Sequence, residues 1–165
     1  MAETRLALYL ACPVGLRIHE CLCIDTATAE QALRKNAITI KGKGGTTRPV
    51  LINEQIAIAM SEQLNRTERG HKLLVPDDMH TDRAINQLLF FIYSNRDDFQ
   101  EDADRPLTFH GLRHTYTAEK YTELPQSNKS ALDSHFVVSR LLGHERGDVT
   151  NIYLASLPKE NRHGK

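Results

Sequence analysis

The sequence predicts a mainly α-helical fold of the α+β class, with one small antiparallel β-sheet. Apolar residues recur at helical spacing over most of the chain, whereas the stretch AITIKG, KGG, TTRPVLI from Ala37 reads as two short strands around a glycine-rich turn. The 165 residues are enough for one well-packed domain and few for two, so we expect residues 1–165 to form a single domain.

The N-terminal part predicts two core helices followed by a β-hairpin. Helical apolar spacing covers residues 5–11 and 15–24, with Pro13 and Gly15 breaking the pattern between them. The two strands after Ala37 then predict a hairpin that carries Lys43 at its tip.

The remainder of the chain predicts further helices. Asn53 caps a helical stretch that ends near Gly70, and Thr81 or Asp82 opens another that is rich in apolar residues. The acidic segment 97–104 predicts a solvated loop, because it lacks the glycine-centred spacing of a calcium site. Later helices are predicted over about 109–123, over about 130–142 and in DVTNIYLASL.

The overall charge gives no sign of an anionic partner. Lys and Arg number 21 and Asp and Glu number 21, so the formal charge is zero. A self-sufficient DNA-binding protein usually has a basic excess, because neutralising phosphates supplies much of its affinity. A neutral total is nevertheless compatible with a local basic patch.

Cysteine usage and hydropathy predict a cytoplasmic protein without a membrane partner. Cys12, Cys21 and Cys23 lack a CxxC spacing, so we expect ordinary buried thiols in a reducing compartment rather than disulfides or a zinc site. The apolar stretch LALYLAC is short for a signal peptide and follows Glu3. No apolar run approaches the roughly 20 residues of a membrane span.

Chemically versatile side chains are densest in the last third of the chain. HGLRH supplies His110 and Arg113, which share a helix face at a spacing of i,i+3 and can present two donors to one phosphate. LLGHERGDVTNIY supplies His144 and Tyr153, and Gly143 would end a helix so that His144 lies on a turn.

A second group lies far upstream in GLRIHE, where Arg17 and Glu20 are predicted to share a helix face. An arginine near the core of a neutral domain needs an anion, which is either Glu20 or a bound phosphate. Each residue alone has an ordinary interpretation: a surface ion pair for Arg17 with Glu20, a solvated turn for Lys43, and a core position for Tyr153. Only their joint order favours a site.

In that order, the motifs resemble the catalytic domain of the tyrosine recombinases, the phage integrase family. They are the arginine of GLRxxE, the lysine of a GKG hairpin, His-x-x-Arg, Leu-Gly-His and a tyrosine nine residues later, and they extend from about Leu6 to Leu157. The resemblance implies the fold of DNA breaking-rejoining enzymes and site-specific recombination, integration or excision, through a 3′-phosphotyrosyl DNA intermediate. It implies no cofactor and no metal.

The resemblance also implies a role for each residue. Tyr153 would attack the scissile phosphate, while Arg17 and Arg113 would hold its non-bridging oxygens. His144 would donate a hydrogen bond to the phosphate, and Glu20 would orient Arg17 or a neighbouring imidazole.

Two further residues would move protons. His110 would be the general base for Tyr153 or a proton relay, and Lys43 would protonate the leaving 5′-oxygen. The expected partners are double-stranded DNA and other recombinase subunits in a synaptic tetramer on DNA.

Of the sequence's departures from the family, two bear on DNA binding and on the geometry of the site. The family usually has a separate N-terminal domain that closes around DNA, and no such segment precedes Leu6, so we expect this domain to be absent. We therefore expect duplex binding by this piece alone to be weak and salt-sensitive, without complete recombination. The segment LPQSNKSALDS lengthens the spacing between Arg113 and His144 and is expected to extend a loop without moving the site.

Other functions stay open at this point. A type IB topoisomerase-like enzyme would use the same covalent step, and a non-catalytic DNA or protein interaction domain could keep the fold. A zinc hydrolase would use His110, His114 and His144, but HGLRH lacks the glutamate of HExxH and Arg113 would repel a cation. Four residues are instead expected to be packing or surface residues: His19, His114, Tyr116 and His135.

Overall fold

The computed structural model describes residues 2–41, 47–98, 106–123 and 137–139. The helices are α1 (Ala2–Ala11), α2 (Ile18–Leu22), α3 (Thr26–Lys35), α4 (Glu54–Leu64), α5 (Thr81–Asn95), a 3-10 helix (Arg96–Asp98) and α6 (Phe109–Glu123). The strands are β1 (Ala37–Lys41) and β2 (Thr47–Leu51). The predicted class, mainly α with a small antiparallel sheet, is confirmed.

The two strands form the predicted hairpin. They pair antiparallel from Ala37 opposite Leu51 to Lys41 opposite Thr47. One face of the hairpin is buried, with Ile38, Ile40 and Val50 in the core. The tip with Lys43 lies outside the described residues.

Side-chain caps define two of the helix starts. The Asn53 side chain accepts a hydrogen bond from the Ile56 N–H (2.9 Å), as expected of an N-cap, although α4 already ends at Leu64 rather than near Gly70. Asp25 caps α3 in the same way through the Thr28 N–H (2.7 Å). Helix α5 begins at Thr81 as predicted.

The N-terminal part differs from the prediction in two ways. Helix α3 was not predicted, because its buried face consists of the small residues Thr26, Ala29 and Ala32 rather than of large apolar side chains. The predicted helix over 15–24 is reduced to α2, because Gly15 has a left-handed backbone (φ +68°) and Arg17 is extended.

The core gathers side chains from α1 to α5, the hairpin and the segment 73–75. Helix α1 packs against α2, α4 and α6, and a smaller cluster joins Tyr116 and Tyr121 of α6 to Val138. This packing sets α6 beside the turn that links α1 to α2. Among the residues that the structure describes, no helix is long and apolar enough to cross a membrane.

The outcome for the remaining predictions is mixed. Of the three thiols expected to be buried, Cys21 is buried, Cys12 is half-buried and Cys23 is exposed. Residues 137–139 are helical, within the helix predicted over 130–142. The rest of that helix, the last helical segment and most of the acidic segment 97–104 lie outside the described residues.

Candidate active site

Helix α6 holds the turn between α1 and α2. The Arg113 guanidinium donates a hydrogen bond to the Gly15 carbonyl, and the Tyr116 ring lies directly over the Gly15 backbone. A Cβ at this glycine would come within 2.3 Å of Tyr116 Cδ1, so only glycine fits. The backbone position of Arg17, two residues later, therefore depends on α6. Tyr116 was expected to be a packing or surface residue, and it is a packing residue.

Arg17 and Glu20 meet at the start of α2. Arg17 is the N-cap residue, with an extended backbone (φ −74°, ψ 153°), and Glu20 follows in the first turn. The Arg17 N–H donates to the Glu20 carboxylate (2.7 Å), and the Arg17 guanidinium lies 3.1 Å from Glu20 Oε1. The pair was predicted on one helix face. It forms instead because Glu20 reaches back to the N-cap, as in half of a capping box.

Glu20 is the centre of a cluster of three arginines. Arg48 of β2 binds both of its oxygens, with Nη1 at 3.3 Å from Oε1 and Nη2 at 3.2 Å from Oε2. Arg113 of α6 places Nη1 at 3.8 Å from Oε2. The Glu20 side chain is only 7% exposed, so one buried carboxylate joins α2, β2 and α6.

The cluster keeps Glu20 ionised. Burial alone would raise the pKa of this carboxyl group, but the Arg17 N–H and the guanidinium groups of Arg48 and Arg17 outweigh it and lower the pKa. Among the described residues, three guanidinium groups surround this one carboxylate. Arginines are thus concentrated at one place within a chain of zero formal charge.

His110 lies next to this charge, in the first turn of α6. Its ring meets the His114 ring edge to face, with 4.9 Å between the centroids. Partial burial lowers the pKa of His110, and the charges of His114, Arg113 and Arg17 lower it further. The imidazole is therefore held in its neutral form near neutral pH, in which one ring nitrogen can accept a proton.

The structure brings together four of the predicted site residues: Arg17, Glu20, His110 and Arg113. The other three, Lys43, His144 and Tyr153, lie outside the described residues. The sequence reasoning missed Arg48. The strand pattern could have indicated it. Side chains alternate along β2, so Arg48 lies on the same, buried side as Val50, and a charged side chain there requires an anion.

The described residues offer one group of three metal-type ligands, and it lies elsewhere. Glu68, His71 and Asp77 come together on the exposed connection between α4 and α5. His71 and Asp77 form an ion pair there, which raises the pKa of the imidazole. Within the described part of the chain, His110 and His114 are not part of such a group.

Solved structures share this fold. The chain is similar to XerA recombinase (TM-score 0.67, 17% identity, 97% of this chain and 54% of that chain covered) and to the integrase from mycobacterium phage Brujita (TM-score 0.60, 19% identity, 98% and 49%). It is also similar to XerH site-specific recombinase bound to palindromic difH substrate in a post-cleavage complex (TM-score 0.62, 17% identity, 96% and 43%).

The fold is thus that of tyrosine recombinase catalytic domains. The chain spans about half the length of these solved structures. The family model described as "Phage integrase family" matches residues 1–160, so the chain belongs to the phage integrase family. No curated protein matches the chain.

Proposed function

We propose that this chain is a recombinase catalytic domain, formed by residues 1–165, which cleaves and rejoins duplex DNA through a 3′-phosphotyrosyl intermediate on Tyr153. The observation that carries the proposal is the Glu20 cluster of three arginines beside a neutral imidazole. A scissile phosphate needs a fixed positive site and a nearby proton acceptor, and this arrangement offers both. Family membership supports the same reaction class.

The two predicted phosphate ligands differ in accessibility. The Arg17 side chain is 35% exposed and would contact the non-bridging oxygens directly. The Arg113 side chain is 1% exposed and would add its charge from beneath while it holds the Gly15 turn. Charge-assisted hydrogen bonds of this kind contribute roughly 1.5–3 kcal/mol each. His144 would donate a further hydrogen bond to the phosphate.

The chemical step needs two proton transfers. A free tyrosine has a pKa of about 10 and is only about 0.1% ionised near pH 7, so Tyr153 needs a base. His110 would accept the phenolic proton as the bond from the tyrosine oxygen to phosphorus forms. The bond from phosphorus to the 5′-oxygen breaks, and Lys43 would protonate that oxygen. The partners would be duplex DNA and further subunits in a synaptic tetramer.

The test is covalent capture of DNA. The chain is incubated with a pool of nicked suicide duplexes of randomised sequence, and denaturing gels detect the protein–DNA adduct. We expect an adduct that Tyr153→Phe abolishes and that Tyr93→Phe, at an exposed tyrosine of α5, leaves unchanged. An adduct that persists in Tyr153→Phe would disprove the assignment of the nucleophile. Duplex binding without any adduct would favour a non-catalytic domain.

A further inference from the structure

Arg48 occupies a position where a strand normally places an apolar side chain. It pairs with the buried Ile40 of β1, and its own side chain is only 11% exposed. Side chains alternate along a strand, so Arg48 shares the core-facing side of the hairpin with Val50. A guanidinium is costly to bury there unless its charge and its donors are matched.

The match is Glu20. Arg48 is the one arginine of the cluster whose two terminal nitrogens bind the two carboxylate oxygens, in a parallel fork. Its remaining donor, Nε, is buried and has no hydrogen-bond partner among the described residues. The guanidinium is therefore directed at the carboxylate rather than at solvent, which distinguishes it from the more exposed Arg17.

We propose that Arg48 is a positioning residue: it fixes the Glu20 carboxylate, and through Glu20 it sets Arg17 and Arg113 around the phosphate position. The inference rests on the proposed function of the site. Arg17 contacts Glu20 through its N–H and one guanidinium nitrogen, both at the start of α2, and Arg113 Nη1 lies 3.8 Å from Oε2. The Arg48 fork adds a second two-point contact from a different element, β2, and so fixes the carboxylate plane relative to the hairpin.

Arg48 also connects the hairpin to the arginine cluster. Its neighbour Thr47 pairs with Lys41, and these two residues flank residues 42–46, which include Lys43. The fork from Arg48 to Glu20 consequently ties the paired strand ends beside these residues to α2. A change at Arg48 should disturb the proposed proton donor and the proposed phosphate ligands together.

The experiment compares Arg48→Met and Arg48→Lys with the wild-type chain. Lysine keeps the charge but offers a single ammonium, so it cannot span both oxygens. The control is Arg5→Met, which removes one positive charge and an exposed ion pair with Glu62. Three quantities are measured: the rate of adduct formation on the randomised suicide duplexes, the Kd for an intact duplex, and the titration of the Glu20 carboxyl group by carbon NMR.

We expect Arg48→Met to slow adduct formation on the order of 100-fold, which is typical when reacting groups are misplaced by about 1 Å. Arg48→Lys should recover part of the rate, while the Kd for intact duplex should match that of Arg5→Met. The midpoint of the Glu20 titration should rise in Arg48→Met, because the bidentate partner is lost. Among the residues that the structure describes, the charged and titratable groups that face Glu20 are Arg17, Arg48, Arg113 and Cys21.

Three results would overturn the proposal: a wild-type rate in Arg48→Met, a loss of duplex affinity as large as the loss of rate, or an unchanged Glu20 titration. The second of these would make Arg48 a DNA contact. If the wild-type chain itself forms no adduct, the proposed function fails, and the Glu20 titration alone decides whether Arg48 fixes the carboxylate. Arg48→Lys keeps the charge, so it covers the case in which Arg48→Met does not fold.

Discussion

Replacing Gly15 by alanine tests whether the turn between α1 and α2 depends on α6. Two costs add. A left-handed backbone (φ +68°) costs a residue with a Cβ about 1–2 kcal/mol. The new methyl group would lie 2.3 Å from Tyr116 Cδ1 and 2.6 Å from Cε1, and such overpacking costs about 1–3 kcal/mol. We therefore expect Gly15→Ala to lower the free energy of unfolding by about 2–5 kcal/mol.

Gly70 provides the matched control. It also has a positive φ (+92°), but a Cβ there would have nothing within 4 Å. Gly70→Ala should therefore show only the backbone cost of about 1–2 kcal/mol. Both free energies come from urea unfolding at neutral pH, followed by circular dichroism and extrapolated linearly to zero urea.

A double-mutant cycle isolates the contact with the ring. In a Tyr116→Leu background the ring is absent, so Gly15→Ala should cost only about as much as Gly70→Ala, and the coupling free energy should be about 1–3 kcal/mol. Equal losses for Gly15→Ala and Gly70→Ala in the wild-type background, or a coupling free energy near zero, would refute the idea that Tyr116 restricts this turn to glycine.

Two further predictions concern the charge cluster and the helix caps. Glu20→Gln leaves three arginines without their carboxylate and should cost about 3–5 kcal/mol at neutral pH. Because folding lowers the pKa of Glu20, this stabilisation is present above the unfolded pKa of about 4.3 and is lost as the pH falls through the lower folded value. The difference in urea stability between wild type and Glu20→Gln should thus shrink in acid, and a difference independent of pH would contradict the ionised state. Asn53→Ala should cost about 1 kcal/mol by removing the cap of α4, whereas His80→Asp should stabilise α5 by about 0.5–1 kcal/mol, since His80 makes no side-chain cap bond. Thermal unfolding measures both, and shifts of the same sign would count against the cap assignments.

Local signals predicted the local structure well. The alternation after Ala37 predicted the hairpin, and Asn53 predicted the start of α4, because both depend on neighbours in sequence. Helix α3 was missed, since alanine and threonine on its buried face give weak periodicity. The break at Gly15 was visible, but the left-handed turn depends on Tyr116, which follows about a hundred residues later.

For the candidate site, the sequence predicted which residues take part but not how they are arranged. The order of the motifs selected Arg17, Glu20, His110 and Arg113, and the structure brings these side chains together. The sequence did not predict how these side chains are arranged. Arg17 is the N-cap residue of α2 rather than part of its helical face, and Arg113 is buried beneath the turn between α1 and α2. Arg48 carries no motif of its own, and only the strand register reveals its inward position. Lys43, His144 and Tyr153 stay predictions.

The arginine cluster gives this electrically neutral chain an uneven charge distribution. Around Glu20 the described residues place three guanidinium groups close to one carboxylate, in a chain whose formal total charge is zero. At distances beyond the Debye length of about 8 Å, an approaching polyanion would meet little net attraction, and the field would become strong only on close approach. The sensitivity of duplex binding to salt would then arise at contact, where phosphates displace counterions, and discrimination would arise there too.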